Sequence, residues 1–115
     1  MAYLRASQAL MLWHRTTLAQ VHNEDPDLTA RQMAILLTVY LEAPPHTVRG
    51  LAEQLGVTKP VITRALDTMG TLGFVTRRRD ERDRRNVLVQ RTVEGSEYLE
   101  RLGQLIAAKS EGLAS

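Results

Sequence analysis

A mainly α-helical domain with one small β-hairpin is the fold class this 115-residue sequence predicts, and three observations carry the prediction. Amphipathic helical patterns fill the chain up to Gly73. An arginine-dense tip follows, flanked on both sides by β-branched residues. A last helical pattern closes the sequence.

The first pattern runs from about Tyr3 to Val21 and sets Leu4, Met11 and Leu18 on one line, with Tyr3, Leu10 and Val21 beside it and Trp13 on its flank. Leu12 and Ala19 fall nearer the opposite face, among Arg5, Gln8, Arg15 and Thr16. The helix therefore has more apolar surface than one contact hides: either a second partner covers it or those residues are exposed. His22-Asn23-Glu24-Asp25-Pro26-Asp27 ends the pattern. Acidic turns between helices are far commoner than metal sites, so no metal is assigned to it. The next helix starts at Thr29 as N-cap, with Gln32 completing a capping box and Leu28 paired with Met33 as a hydrophobic staple. Ile35, Leu36, Val39 and Tyr40 continue it inward until Pro44 and Pro45 end it. His46 reads as a partly exposed loop histidine.

Residues 48–73 hold two short helical patterns joined at a glycine. Thr47 caps the first, which puts Val48, Leu51, Ala52 and Leu55 on one face and stops at Gly56, a residue suited to a left-handed C-cap. Thr58 caps the second, and Pro60 stands in the first turn, where no intrahelical bond is lost. Ile62, Ala65, Leu66, Met69 and Leu72 recur at helical spacing and form the face expected to be buried. Lys59, Pro60, Val61, Thr63, Arg64 and Asp67 remain outside, a face of donors, cations and one methyl-bearing side chain able to meet base edges. The pattern is that of a helix-turn-helix; the alternative reading is an ordinary helical hairpin in an all-α core.

Gly73 closes this helix, and Phe74-Val75-Thr76 opens a strand that runs into Arg77, Arg78, Arg79, Asp80, Glu81, Arg82, Asp83, Arg84 and Arg85; Asn86-Val87-Leu88-Val89-Gln90 returns. Such a hairpin wing beside a recognition helix suits a phosphate backbone and a narrow minor groove. The alternative is a solvated loop whose arginines pair with Asp80, Glu81 and Asp83. Thr92 then caps a final helix with Tyr98, Leu99, Leu102, Leu105, Ile106 and Leu113 in an apolar stripe and a Glu97/Arg101 pair outside.

The length is that of one domain, divided into residues 28–91 as a nucleic-acid-binding lobe (helix-turn-helix 47–73, wing 74–91) and terminal helices 1–22 and 92–115. No cysteine is present, which excludes disulfides, thiolate metal sites and thiol switches. Ser7, Gln8, His14 and Arg15 interrupt any hydrophobic segment long enough to export or span, so a cytoplasmic location with no membrane partner is expected. The net charge of +2 hides an asymmetry: residues 49–91 carry ten Lys and Arg against five acids, while the rest carries five against eight. The cations lie where the nucleic-acid-binding elements lie.

The stretch LAEQLGVTKPVITRALDTMGTLGFV, the following RRRDERDRRNVLVQRT with its Asp83-Arg84-Arg85, and Thr92-Val93-Glu94-Gly95 resemble the MarR-type winged-helix transcriptional regulators, from about Leu28 to Leu102. Asp83-x-Arg85 matches the Asp-x-Arg signature of that family's wing. The resemblance implies a winged helix-turn-helix with terminal dimerisation helices, mainly α with a small β-hairpin wing, and a homodimeric, sequence-specific binder of double-stranded DNA acting as a repressor on a pseudo-palindromic operator. The expected DNA contacts are Thr47, Arg49, Thr58, Lys59, Pro60, Val61, Thr63, Arg64, Arg77, Arg79, Arg82, Arg84 and Arg85, with Asp83 orienting an arginine. The expected dimer contacts are Leu4, Leu10, Met11, Leu18, Leu99, Leu102, Leu105 and Ile106. The family usually carries one helix more than the residues up to Ser115 provide, which leaves the extent of the pairing surface open. Its small aromatic acid effectors direct attention to Trp13, His14, Arg15 and Tyr40 as a candidate effector pocket, against a core role for the aromatics.

No cofactor and no catalysis are expected, because His14, His22 and His46 lie in different elements without a nucleophile, metal or phosphate-loop motif. The rival function is a winged helix that binds another protein. Such a wing would carry apolar anchors, and none stands between Arg77 and Asn86.

Overall fold

The computed structural model describes residues 4–113, and Tyr3, expected beside the first apolar line, lies outside them. The chain forms α1 (Ala6–His22), α2 (Ala30–Leu41), β1 (His46–Thr47), α3 (Val48–Leu55), α4 (Lys59–Thr71), β2 (Val75–Arg79), β3 (Val87–Arg91) and α5 (Val93–Lys109). It packs as two compact units: Leu28–Tyr98, called the lobe below, and a second unit of the segments up to Asp27 and from Leu99 onward. The first turns of α5 therefore belong to the lobe, where Tyr98 stacks on Phe74 with ring centroids 4.5 Å apart.

In the lobe, Ile35, Leu36 and Val39 of α2 meet Leu51 and Ala52 of α3 and Ile62, Ala65, Leu66 and Met69 of α4 in one core, closed by Phe74, Val75, Val89 and Tyr98. The caps of α2 and α3 behave as the sequence predicts. Thr29 accepts the Gln32 N–H at 3.1 Å while Gln32 Oε1 accepts the Thr29 N–H at 2.8 Å, so two orphan donors of α2 are satisfied reciprocally. Gly56, at φ 69°, takes the left-handed turn that lets α3 stop and α4 start three residues later. Leu72 departs from expectation: it is the residue after the last turn of α4, not a member of the helix, and it stays 37% exposed.

The sheet has three strands rather than the two of a simple hairpin, in the order β1-β3-β2 and antiparallel throughout. His46 pairs with Val89 and Thr47 with Leu88, so the residues just before α3 are stitched to the wing. The expected hairpin is present between β2 and β3, with Val75 opposite Arg91 at its base and Arg79 opposite Val87 near its tip.

In the second unit, α1 and the C-terminal segment are tied by side chains on C-terminal carbonyls. Arg15 Nη1 donates to Lys109 O at 3.3 Å, and Gln8 Nε2 donates to Leu113 O. Both bonds satisfy acceptors that the end of a helix or turn leaves open. Leu113 is buried but stands beyond α5, in a turn that contains Gly112 at φ 78°. Leu12 and Ala19 are half-buried on either side of fully buried Thr16, so the polar-looking side of α1 is the side the chain covers. The Leu4, Leu10, Met11, Leu18 and Val21 side stays exposed, Leu10 at 69%. Leu99, Leu102 and Leu105 are half-buried, and Ile106 is more open. The Glu97/Arg101 ion pair expected on α5 is not formed among the described residues. No helix among them is long and apolar enough to cross a membrane.

Candidate nucleic-acid interface

Helix α4 presents Lys59, Pro60, Thr63 and Arg64 to solvent while its other side is buried; Val61 is half-buried at the rim. The periodicity explains the division, since positions 62, 65, 66 and 69 share one face and 59, 60, 63 and 64 another. Thr58 occupies the N-cap in extended backbone, but its hydroxyl makes no capping bond. The first turn is held instead by Val61 and Ile62 N–H groups donating to Thr58 O at 3.1 and 3.3 Å. Thr47, by contrast, accepts the Gly50 N–H at 2.9 Å, and exposed Arg49 follows it at the start of α3.

Two acids of the wing tip, Asp80 and Asp83, bond its own backbone. Asp80 Oδ1 accepts the Arg82 N–H at 2.9 Å and Asp83 Oδ1 accepts the Arg85 N–H at 3.2 Å, each a carboxylate closing a turn two residues on. The Asp80 N–H reaches Asn86 O and the Asn86 N–H reaches Asp83 O, which fixes the tip. Asp83 also grips the Arg85 side chain with both oxygens, Nε at 3.0 Å and Nη2 at 3.1 Å, the fork geometry that suits guanidinium and carboxylate. These side-chain and main-chain bonds from Arg85, helped by the charge of Arg49, hold the Asp83 carboxyl below its ordinary value. The same side-chain bond raises Arg85.

Two more arginines are tethered. Arg77 Nη2 donates to Asp67 Oδ1 of α4 at 2.7 Å, linking the wing strand to the helix beside it. Arg79 Nη1 donates to Arg84 O at 2.9 Å across the tip. Lys59, Arg64, Arg82 and Arg84 have no hydrogen-bonded side-chain partner among the described residues, and all four are exposed. Between the start of α3, the outer face of α4 and the wing lies a cleft of about 240 Å³ lined by Val48, Arg49, Lys59, Thr63, Arg77, Arg85, Asn86 and Val87. The lobe thus brings residues from all three expected elements around one basic cleft.

The sequence model of the MarR family matches residues 28–87. The chain belongs to the MarR family. Among solved structures it is similar to the transcriptional regulator Tm0710 of Thermotoga maritima, at 25% identity and a TM-score of 0.70 over 87% of this chain and 68% of that one. It is similar also to the PcaV transcriptional regulator of Streptomyces coelicolor, at 27% identity and 0.66 over 90% and 75%. The fold is shared by reduced AbfR bound to DNA, at 24% identity and 0.66 over 89% and 70%. No curated protein matches the chain. As in these MarR-family structures, the architecture is mostly helical with a small antiparallel sheet forming a winged helix.

Of the residues considered for an effector pocket of this MarR-family protein, Trp13 and His14 are exposed, and Arg15 bonds Lys109 O. The Tyr40 hydroxyl bonds Phe74 and Thr92 within the lobe. Sequence reasoning missed Asp67 as the partner of Arg77 and missed Tyr40 as a polar junction. The only available signal for the first was Asp67 standing on the outer face of α4, and for the second nothing local existed.

Proposed function

We propose that the protein is a homodimeric, sequence-specific DNA-binding transcriptional regulator that represses by occupying its operator. The observation that carries this reading is the cleft that Lys59 and Thr63 of α4 share with Arg49, Arg77 and Arg85, beside exposed Arg64 and the arginine-dense tip of the wing. Helix α4 enters the major groove, where Arg64 and Lys59 reach base edges, Thr63 donates or accepts, and Pro60 and Val61 supply apolar contact. Thr47, Thr58 and Arg49 meet the flanking phosphates. Arg82, Arg84 and Arg85 carry the wing onto the backbone and into the minor groove, with Arg77 and Arg79 behind them and Asp83 holding Arg85 in pose. The family supports the reading, and AbfR is a protein of the same fold bound to DNA.

Dimerisation follows from the exposed side of α1. Leu4, Leu10, Met11 and Leu18 stand open, as does Trp13 at 59% exposure, with Ile106 on α5 and the half-covered Leu99, Leu102 and Leu105. Fully burying one such side chain is worth about 1.5–3 kcal/mol, so several of them shared between two copies offset the loss of subunit freedom. Two-fold pairing presents two copies of α4 about one helical turn apart and implies a pseudo-palindromic site.

The test is binding of the purified protein to the DNA upstream of its own gene, measured across salt concentrations. Preference for one site over random DNA with a steep salt slope is expected; equal affinity for both would overturn sequence-specific regulation. Light scattering reads the dimer. Leu10→Glu, on an exposed position that costs the fold little, should yield monomers that lose the full site, whereas an unchanged mass would exclude this face from pairing.

A further inference from the structure

The base of the wing is closed by a side chain, not by the sheet. Val75 and Arg91 are the last backbone-paired positions of the hairpin, and the same register would next pair Phe74 with Thr92. At that rung the Tyr40 hydroxyl of α2 is interposed: it accepts the Thr92 N–H at 2.9 Å and donates to Phe74 O at 2.7 Å. The phenol thus relays the hydrogen bond that the two strands would otherwise exchange directly.

Everything around this rung fixes it in place. The Phe74 N–H donates to Met69 O, so the strand start is bonded to the end of α4. Thr92 Oγ1 donates to Gly73 O at 2.6 Å and accepts the Gly95 N–H at 2.9 Å. Arg91 lies over the Tyr40 ring at 5.8 Å, with Nε on Val39 O at 2.9 Å and Nη2 on Glu42 O at 3.1 Å. Helix α2, the end of α4, both wing strands and the start of α5 therefore meet at one hydroxyl.

Resting on the DNA-binding reading above, we propose that Tyr40 is a positioning residue that sets the angle of the wing against α4, and thereby the span between wing contact and recognition-helix contact on the DNA. The wing is a lever. Five strand residues at about 3.3 Å each put its tip roughly 17 Å from the rung, so a tilt of about 10° at the base displaces the tip by about 3 Å. A displacement of that size separates Arg82, Arg84 and Arg85 from their phosphates while leaving α4 untouched.

The experiment uses the full chain and exploits its lack of cysteine. Spin labels at Thr68→Cys on α4 and Glu81→Cys at the wing tip report the distance between the two elements, with and without Tyr40→Phe, which keeps the ring and removes the hydroxyl. Tyr40→Phe should shift or broaden the distance distribution by about 2–3 Å, as the lever estimate requires. Ile35→Val, a core change away from the rung, should not. An unchanged distribution in folded Tyr40→Phe overturns the proposal; should that variant not fold, Thr92→Val, which removes the bond to Gly73 O, is read in the same way. On DNA, Tyr40→Phe should bind the operator about tenfold more weakly with a salt slope one to two units shallower, the signature of lost phosphate contacts. Combined with Arg85→Ala, its effect should be less than additive, because both remove the same contact, while Ile35→Val should add independently. Full additivity of Tyr40→Phe with Arg85→Ala overturns the positioning role even if the distance moves. A wild-type protein that fails to prefer any DNA site overturns the DNA-binding reading, and with it the role on DNA, while the spin-label distances still decide whether Tyr40 sets the wing.

Discussion

Gly95→Ala should destabilise the protein by about 2–4 kcal/mol, although alanine is the better helix former. Gly95 lies in the first turn of α5, directly over the rung at the wing base. A Cβ built there would stand 1.9 Å from Tyr40 Oη, 2.3 Å from Phe74 O and 2.8 Å from Tyr40 Cζ. The Phe74 oxygen is main chain and already bonded, so the strain falls on the Tyr40 hydroxyl or on the α5 turn. Displacing the hydroxyl breaks two part-buried hydrogen bonds at about 0.5–1.5 kcal/mol each, and overpacking adds about 1–3 kcal/mol. The helix-propensity gain returns at most about 1 kcal/mol. Gly70→Ala is the matched control: it too lies in a lobe helix, but its Cβ would meet nothing within 4 Å, so a gain of about 0.5–1 kcal/mol is expected. Urea unfolding monitored by circular dichroism separates the two, with midpoints moving in opposite directions at constant slope. If Gly95→Ala raises the midpoint as Gly70→Ala does, the close approach at Tyr40 is wrong.

Three further outcomes test the interface. Arg64→Ala should cost about 1–3 kcal/mol and relax preference at one operator position if the side chain reads a guanine; equal weakening on random DNA would make it a phosphate contact. Arg85→Ala should weaken binding and lower the salt slope by about one unit per lost phosphate, and unchanged affinity and slope would remove the wing tip from the DNA. The Asp83 carboxyl, held down chiefly by the Arg85 side chain, should titrate below 3.8 in a carbon-detected NMR series and move upward in Arg85→Ala. Because the folded value lies under the unfolded one, its contribution is present above the unfolded value and is lost as pH falls through the folded value.

The legible parts of the fold were those written in local sequence. The Thr29–Gln32 box, the Thr47 cap and the Gly56 stop involve residues three or four apart, and the structure shows each of them. Thr58 stands at the expected N-cap, but its hydroxyl makes no capping bond, since Pro60 has no N–H to offer and the Val61 N–H goes to the Thr58 carbonyl. Strand β1 escaped because two residues carry no periodicity; its identity comes from Val89 and Leu88, more than forty positions away. The covered side of α1 was misjudged for a related reason. Leu12 and Ala19 are flanked by Gln8, Arg15 and Thr16, whose polarity looked outward, yet Gln8 and Arg15 turn to the carbonyls of Leu113 and Lys109. Within the candidate site, the cations of α4 and the wing were readable from spacing and charge. The acids at the tip were not, since nothing in the residue type tells whether Asp80 binds an arginine side chain or, as it does, the Arg82 main chain.

The exposed side of α1 also gives the molecule a built-in optical reporter. Trp13 is the single tryptophan of the chain, and it stands 59% exposed, one helical turn from exposed Leu10. Its emission in an isolated chain should be that of a water-exposed indole, and any second copy that covers this face should shift it to the blue and shield it from iodide. The lobe that carries the basic cleft holds no tryptophan, so the emission comes from the other unit alone. Dilution of the unlabelled protein therefore yields the subunit association constant from one spectrum per concentration, and a DNA-linked change in that constant measures how strongly subunit pairing and operator binding favour one another.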